Sequence, residues 1–262
     1  MALFDAYRRL ADDDSRMLML YLIAYRLGGH QSIRIPVPFE RDGRADGSGY
    51  FAAQVSQPSQ LNIGSAFGAL RHFDFHFEGI RYKADCIGLE YYLHRKQYFF
   101  SRDAVRIAPG PGDHVIDGGA CLGDSAVVFA NVVGPKGKVY AFDPVQEHIH
   151  VIKHNARQNP KLQIQPMPFG LSDIDVFEDP ISLETYAPGF RCDGKSVPLA
   201  SIDSLVGSGA IEQVDFIKFD IEGSELNALK GATSTIHKYR PKLASSIYHK
   251  PNDLFEIPPV SQ

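Results

Sequence analysis

The 262-residue sequence is short of cysteine, and its few cysteines are far apart. Cys86, Cys121 and Cys192 include no CxxC pair. Zinc clusters and disulfide frameworks require closely spaced or paired cysteines, so we expect neither of them. Unpaired thiols also suit a reducing compartment, and we therefore expect a cytoplasmic protein.

The chain also has no charged block and no long apolar run. Its formal net charge of -4 is spread over the whole length. Nucleic acid is therefore not an expected partner, because it would require a concentrated basic surface. The longest apolar run, residues 17–25, is about half of the roughly 20 residues that cross a bilayer. No basic-then-apolar signal peptide opens the chain, and we expect no membrane span.

The N-terminal region, residues 1–100, predicts a helical lead-in and a hairpin. Apolar residues lie at helical spacing up to residue 29, where Ser15 can cap a second helix and Gly28-Gly29 can end it. Residues 73–82 alternate as hairpin strands do, with Glu78-Gly79 at the turn.

Residues 101–262 form the predicted main domain, in which short apolar strands alternate with amphipathic helices. This rhythm predicts an α/β fold with a mostly parallel sheet and helices on both faces. An insertion over 172–206 carries a further strand near 197–199. The predicted strands cover 114–117, 138–142, 163–171, 214–219 and 242–248, and the helices cover 125–133, 147–158 and 224–239.

A glycine-rich turn follows the first strand of this domain. It runs from Asp117-Gly118-Gly119 to Gly123 and opens a helix at Asp124-Ser125. Ligands of open α/β sheets bind at the carboxyl ends of the strands. Glycines allow close approach and positive φ, and a helix start offers N–H groups that suit a carboxylate. Asp143 closes the second strand, where its carboxylate can accept both ribose hydroxyls of an adenosine. Together these residues predict a nucleoside site.

The glycines alone would also fit a tight strand-to-helix turn that binds nothing. An NAD site requires G-x-G-x-x-G, whereas this turn reads D-G-G-x-x-x-G. Asp117 would repel a pyrophosphate but could receive the ammonium of a methionine moiety, or simply cap the loop. An NAD-type oxidoreductase therefore remains an alternative that the spacing disfavours.

Acidic residues also follow the fourth strand. Asp220 and Glu222 are two residues apart, so on an extended segment both would face the same crevice. A pair of carboxylates suits a sulfonium cation, and we count both residues among the catalytic candidates. Alternatively, Ser224 and Glu225 cap the next helix while Asp220 bonds to backbone.

Four separated sequence blocks occur in order in this chain. They are V-I-D-G-G-A-x-x-G-D-S (115–125), V-Y-A-F-D-P (139–144), I-K-F-D-I-E-G-S-E-L-x-A-L-K-G-A (217–232) and I-Y-H-K-P-x-D-L-F-E-I-P (247–258). Together these blocks resemble the FkbM family of methyltransferases. The resemblance implies a class I methyltransferase fold, S-adenosylmethionine as methyl donor, and transfer to a hydroxyl of a sugar, a glycan or a polyketide-like natural product.

The same resemblance implies a set of cofactor-binding positions. They are Asp117, Gly118, Gly119 and Gly123 around the methionine part, with Asp124 and Ser125 beside them, Asp143 and Pro144 at the ribose, Ser172 and Asp173 near the adenine, and Asp220 near the sulfonium.

Two features depart from the family pattern. Asp143 stands where a Glu is usual. Class I methyltransferases follow the fifth strand with a helix and an antiparallel strand pair, whereas only 13 residues follow His249. We therefore expect the C-terminal edge strands to be absent, leaving an open sheet edge that a second copy of the chain could cover.

Histidines give the last candidates. His249 follows the fifth strand, and an imidazole there could take the proton of an acceptor hydroxyl as general base. His148, His150 and His154 share one helix without a readable metal triad, and we expect them at the surface. A third hypothesis is a non-catalytic domain that retains the fold and acts through protein contacts.

Overall fold

A computed structural model describes residues 2–29, 31–36, 56–63, 69–94, 96–102, 104–181 and 197–260. Its helices are α1 (Ala2–Arg9), α2 (Asp13–Gly28), α3 (Glu90–Leu93), α4 (Asp124–Val133), α5 (Gln146–Gln158), α6 (Ile202–Gly207), α7 (Glu225–Lys230), α8 (Thr233–Tyr239) and α9 (Asp253–Val260). Its strands are β1 (Ser56–Pro58), β2 (Arg71–Phe77), β3 (Ile80–Cys86), β4 (Phe100–Arg102), β5 (Val105–Ile107), β6 (His114–Gly118), β7 (Lys138–Phe142), β8 (Ile164–Met167), β9 (Gly170–Leu171), β10 (Val176–Ile181), β11 (Val197–Ala200), β12 (Phe216–Phe219) and β13 (Lys242–Ser245).

A five-stranded parallel sheet in the order β13-β12-β6-β7-β8 forms the centre of the molecule. The chain first adds β7 and β8 on one side of β6 and then β12 and β13 on the other. The strand order therefore reverses between β6 and β12, which is where ligands bind in such sheets. The α/β fold with a mostly parallel sheet is confirmed.

Two predicted elements are divided in the structure. The strand expected over 163–171 splits at Pro168 into β8, which pairs with β7 in the central sheet, and β9, which pairs with β11 in a separate sheet. The helix expected over 224–239 splits into α7 and α8 at Gly231. A side chain at Gly231 would meet the backbone oxygen of Ser172 at 2.0 Å, so this turn packs directly against the neighbouring loop.

The N-terminal elements agree with the prediction in kind. α1 and α2 confirm the helical lead-in, but Asp12 rather than Ser15 caps α2, because the Asp12 side chain accepts from the Ser15 N–H. Glu78 and Gly79 both have positive φ, at 50° and 79°, as the hairpin turn between β2 and β3 requires.

The β1–β2–β3 sheet packs against α4 and α5, with Phe73, Leu122 and Phe129 in one core. Asn155 reinforces this contact from inside the core. Its Nδ2 donates to the backbone oxygens of Asp85 and Leu122 at 2.9 Å each, and its Oδ1 accepts from the Asp85 N–H at 2.8 Å. The domain boundary at residue 100 remains a prediction, although the core extends across it.

The opposite face of the central sheet carries a second core, with Ile116, Tyr140 and Phe219 at its centre. A smaller cluster joins α1, α2 and α9 through Ala6, Met19 and Leu254. Among the described residues β13 ends the sheet and is followed by α9. Within the same part of the chain, the helices are too short or too polar to cross a membrane.

Candidate functional site

A fully buried ion pair lies beneath the reversal point of the sheet. Lys218 Nζ is 3.1 Å from Asp117 Oδ1 and donates to the backbone oxygens of Gly118 and Gly119 at 2.9 and 2.8 Å. Ser125 Oγ donates to Asp117 Oδ2 at 2.7 Å. Burial would lower the pKa of Lys218, but the carboxylates of Asp117 and Asp220 raise it overall. The pair therefore fixes the turn after β6 to β12 and α4.

The glycine turn is packed against protein. A Cβ at Gly118 would lie 2.8 Å from Phe219, one at Gly119 2.0 Å from the backbone oxygen of Asp220, and one at Gly123 3.2 Å from Ile152. The N–H groups of Gly119 and Ala120 both donate to Phe142 O. Packing thus explains why glycine is needed at these positions. Much of the backbone that we expected to be free for a ligand is already hydrogen-bonded.

Asp143 closes β7 and is held on both sides. Its Oδ2 accepts from the Cys121 N–H at 3.0 Å, and its Oδ1 accepts from the Val145 N–H at 2.9 Å. His148 Nδ1 lies 3.0 Å from the same Oδ1. Our expectation that His148 is a surface residue is wrong, because this contact places it in the interior at 8% exposure. Three of about four acceptor positions of the carboxylate are in use.

The other two histidines of α5 differ from each other. His150 is exposed, as expected. His154 is half-buried, because its Nε2 lies 3.1 Å from Asp85 Oδ2 on β3. The His154 side chain is still 33% exposed, so the surface prediction holds in part, and this side chain helps to join the hairpin sheet to α5.

Asp220, at the end of β12, accepts three hydroxyl hydrogen bonds. Tyr98 donates to its Oδ2 at 2.6 Å, and Ser246 and Tyr248 donate to its Oδ1 at 2.7 and 3.0 Å. Burial opposes ionisation, but the charge of Lys218 and these bonds lower the pKa of Asp220 overall. Burial and Asp220 raise the pKa of Tyr98. Asp220 is therefore an anion and Tyr98 a neutral donor.

Asp124 opens α4 on the other side of the turn. Its Oδ1 accepts from the Ser125 N–H at 3.0 Å and lies 3.5 Å from the Tyr92 hydroxyl. Burial raises the pKa of Asp124 to about 6. Burial and the nearby carboxylates also raise the pKa of the Cys121 thiol, which is therefore uncharged at neutral pH.

His249 lies among carboxylates. Its Nδ1 is 2.8 Å from Glu225 Oε1, and its Nε2 is 3.3 Å from Glu222 Oε2 and 3.5 Å from Asp220 Oδ1. Burial would lower the pKa of His249, but Glu225, Glu222 and Asp220 raise it overall. Burial raises the pKa of Glu222. The ring is only 6% exposed and keeps its proton more tightly than a free imidazole, which does not suit a general base.

The predicted adenine-side residues lie beyond the turn. Ser172 is buried, and its Oγ donates to Asp173 Oδ1 at 3.1 Å, while Asp173 itself is exposed. Pro144 is half-buried beside Asp143. Their contact with a cofactor remains a prediction.

Our sequence predictions did not include Lys218, Tyr98 and Glu225 among the functional residues. Lys218 could have been identified from its place inside the apolar strand I-K-F. A lysine is rarely buried unless it is paired, so this position predicts an acidic partner. Tyr98 offered no such signal, since its partner Asp220 is 122 residues away.

The charges of the crevice suit a cationic ligand. Asp124, Asp143, Asp220 and Glu222 line the ends of β6, β7 and β12, while Lys218 is already paired with Asp117. A pyrophosphate requires free N–H groups and positive charge, and this turn offers little of either. Carboxylate and hydroxyl oxygens instead suit a sulfonium or ammonium group.

Comparisons with known proteins identify the family of the chain. The model of the "Methyltransferase FkbM domain" matches residues 117–257. The hexuronic acid methyltransferase AglP of Haloferax volcanii is 29% identical over 119 residues, which are 44% of this chain and 49% of that protein. The chain thus spans about half the length of this curated relative.

A solved structure supports the fold independently. The methyltransferase FkbM from Methylobacillus flagellatus KT superposes with a TM-score of 0.57 at 19% sequence identity, over 98% of this chain and 50% of that one. At this identity the likeness concerns the fold alone. Since the family model covers more than half of the sequence, the chain belongs to the FkbM methyltransferase family.

Proposed function

We propose that this protein is an S-adenosylmethionine-dependent methyltransferase that methylates a hydroxyl oxygen of a sugar, a glycan or a polyketide-like natural product. The observation that carries the proposal is the carboxylate-lined crevice at the ends of β6, β7 and β12, in a chain of this family. S-Adenosylmethionine would supply an electrophilic methyl group: the acceptor oxygen bonds to this carbon as the carbon–sulfur bond breaks, neutral S-adenosylhomocysteine leaves, and the hydroxyl proton passes to water.

Asp143 is the proposed ribose residue. With three acceptor positions occupied by Cys121, Val145 and His148, its carboxylate has about one left, enough for one ribose hydroxyl. The carboxylates of Asp124 and Asp220 give the negative potential that favours a sulfonium. The remaining residues that we propose to bind the cofactor are Pro144, Ser172 and Asp173.

The residues of the glycine turn are proposed to position the site without contacting the ligand. They are Asp117, Gly118, Gly119, Gly123 and Ser125. Asp117 has no exposed surface, so its charge acts on the crevice through Lys218 and Ser125. The glycines bring the turn against β12 and α5 without side chains in between. Such preorganisation holds the donor and the acceptor oxygen in line, which can supply much of the acceleration.

His249 is proposed as a positioning residue in place of a general base. Its ring is held by Glu225 and faces Asp220 and Glu222, so it orients the two catalytic candidates that border the acceptor side. Tyr248, 62% exposed, lies over the same region and donates to Asp220.

A saccharide is the favoured acceptor class, because the curated relative is a hexuronic acid methyltransferase. Incubation with labelled donor and a panel of uronic acids, neutral sugars and polyketide alcohols tests this choice. We expect a product heavier by one methyl group from a saccharide. A product from the polyketide panel alone would contradict it. A cytoplasmic location and self-association along β13 remain predictions.

The cofactor is tested by isothermal titration of the intact protein with S-adenosylhomocysteine and with NAD. We expect binding of the first and none of the second, and the reverse would overturn the proposal. Asp143→Ala should weaken binding by about 1–3 kcal/mol through loss of a charged hydrogen bond. Glu212→Gln is the control, since it removes an acidic charge beyond the opposite end of the sheet. A binding protein without transferase activity would bind the ligand and methylate nothing.

A further inference from the structure

Two hydroxyl groups hold Asp220, one on each oxygen of its carboxylate. The Tyr98 hydroxyl donates to Oδ2 at 2.6 Å, and the Ser246 hydroxyl donates to Oδ1 at 2.7 Å. Tyr248 adds a longer bond to Oδ1 at 3.0 Å, from an exposed side chain. Tyr98 lies between α3 and β4, whereas Ser246 directly follows β13. The carboxylate is therefore fixed by two distant parts of the chain.

The direction of the Tyr98 hydrogen bond is determined by its neighbour Gln97. The Gln97 Nε2 donates to the Tyr98 hydroxyl oxygen at 3.0 Å, and an amide nitrogen can only donate. The single proton of the phenol is therefore directed to Asp220. The ring is held as well, because it stacks on Tyr92 at a centroid distance of 6.1 Å and lies over the Lys218 ammonium at 5.1 Å.

The backbone of Tyr98 is strained. Its φ of 68° lies in the left-handed region, which a bulky side chain rarely adopts. Such a conformation lowers stability and persists only where the surrounding contacts compensate for it, often at a functional site. The strain indicates that the site requires the Tyr98 hydroxyl at this position.

The hydroxyl groups fix Asp220 without neutralising it. The ammonium of Lys218 gives its hydrogen bonds to Asp117 and to the glycine turn. His249 Nε2 is 3.5 Å from Asp220 Oδ1, beyond the usual N–H···O range of about 2.7–3.2 Å, and also faces a glutamate. In the described part of the chain, Asp220 thus has no cation at hydrogen-bond distance. Its negative charge is available to a ligand in the crevice.

We infer that Tyr98 and Ser246 are positioning residues that hold the Asp220 anion in one orientation, so that the site selects a sulfonium ligand over the neutral thioether that remains after methyl transfer. The inference rests on the proposed function, in which Asp220 lies near the sulfonium. Donor and product share their adenosine and amino-acid parts and differ in one methyl group and one positive charge. A fixed carboxylate favours the charged ligand alone, and this selection limits inhibition by the product.

The test compares S-adenosylmethionine with S-adenosylhomocysteine by isothermal titration of the intact protein without an acceptor. Tyr98→Phe keeps the ring and loses the hydroxyl, and Ser246→Ala loses the hydroxyl on the other oxygen. Each variant should bind S-adenosylmethionine about fivefold or more weakly and S-adenosylhomocysteine within about twofold of wild type, because a carboxylate free to turn attracts a cation less. Asp220→Asn should show the same selective loss.

Two matched controls each lose a hydroxyl that does not contact Asp220. Tyr239→Phe breaks a bond to the backbone oxygen of Glu212, and Ser245→Ala breaks a bond to the backbone oxygen of Ser246. Both controls should bind the two ligands as the wild type does.

An unchanged ratio of the two affinities in Tyr98→Phe and Ser246→Ala would overturn the inference. Equal weakening of both ligands would do the same, because Asp220 would then act on a group that they share or on the fold. Ser246→Ala decides the matter if circular dichroism shows that Tyr98→Phe is unfolded. A wild type that binds neither ligand contradicts the proposed cofactor and the inference with it. A wild type that binds both, with an unchanged ratio in the variants, contradicts the inference alone.

Discussion

At the scale of single residues, Lys218 links the two halves of the sheet. Its ammonium bonds to two carbonyl oxygens of the β6 turn and to Asp117, while its own strand lies next to β6. A buried ion pair is weak evidence for net stability, but removal of one partner leaves the other charge uncompensated. The cost of a substitution therefore depends on which partner remains.

Lys218→Met should lower the free energy of unfolding by about 3–5 kcal/mol, because Asp117 is left as a buried unpaired charge. Urea denaturation measures the change. The double variant Lys218→Met/Asp117→Asn should recover part of the loss. Lys138→Met, which breaks the surface pair with Glu212, is the control and should cost under about 1 kcal/mol. A loss in Lys218→Met no larger than in this control would contradict the interpretation.

Asp124 gives a prediction for pH. Burial raises its pKa to about 6 from the ordinary 3.8, so the folded protein binds the proton more tightly than the unfolded chain. Stability is therefore lost as pH rises from about 4 through 6. Asp124→Asn should gain stability relative to wild type over this window and keep the gain above it. Urea denaturation from pH 4 to 8 measures it, with Asp14→Asn on α2 as the baseline. A difference in unfolding free energy between Asp124→Asn and wild type that stays the same from pH 4 to 8 would contradict the raised pKa of Asp124.

Sequence reasoning was effective for residues whose partners are close in the chain. Asp143, which ends an apolar strand, was identifiable because strand ends meet at one edge of a parallel sheet. Tyr98 was not, since only the folded chain brings it to Asp220. The same holds for His249, whose position was predicted but whose burial among Glu225, Glu222 and Asp220 was not.

At the scale of elements, the turn from β6 to α4 is packed directly against β12. Gly119 has a φ of 73°, and a Cβ there would lie 2.0 Å from the backbone oxygen of Asp220. Gly134, at the end of α4, has a φ of 70° but nothing within 4 Å of such a Cβ. Substitution of the two glycines therefore distinguishes the cost of a positive φ from the cost of a packing clash.

Gly134→Ala should cost about 1–3 kcal/mol of unfolding free energy, because a φ of 70° with a ψ of −171° is a backbone conformation open essentially to glycine alone. Gly119→Ala should cost about 1–3 kcal/mol more, because β12 must move away from the added methyl group. Parallel urea denaturations measure the difference. Equal costs would show that the turn adapts without moving β12.

Element prediction succeeded where apolar runs and turn residues agree, as in β6, β7 and the β2–β3 hairpin. It was wrong where one residue interrupts a pattern, as Pro168 does between β8 and β9. Gly231 ends α7 because the turn packs against the backbone of Ser172, a contact that no local pattern reveals.

At the scale of the whole molecule, the N-terminal hairpin sheet and the central sheet share one core. Phe73 of β2 is fully buried in the same cluster as Phe129 of α4 and Phe216 of β12. Asn155 bonds to both sides of this contact. We therefore expect the two regions to unfold together.

Phe73→Ala should lower the unfolding free energy by about 3–5 kcal/mol. It should shift one common transition, followed by circular dichroism for the helices and by tyrosine fluorescence, since the chain has no tryptophan. Phe100→Ala, on a side chain that is 41% exposed, is the control and should have a small effect. Two separate transitions would instead support independent folding on either side of residue 100.

The three contacts that hold Asp143 also affect the thermodynamics of recognition. The Cys121 N–H, the Val145 N–H and His148 restrict the carboxylate to one rotamer before a ligand arrives. Most of the entropy of this side chain is thus lost during folding, so little remains to be lost on binding. In the proposed function a ribose hydroxyl would therefore meet a preformed acceptor, and the enthalpy of that hydrogen bond would be only slightly offset by ordering.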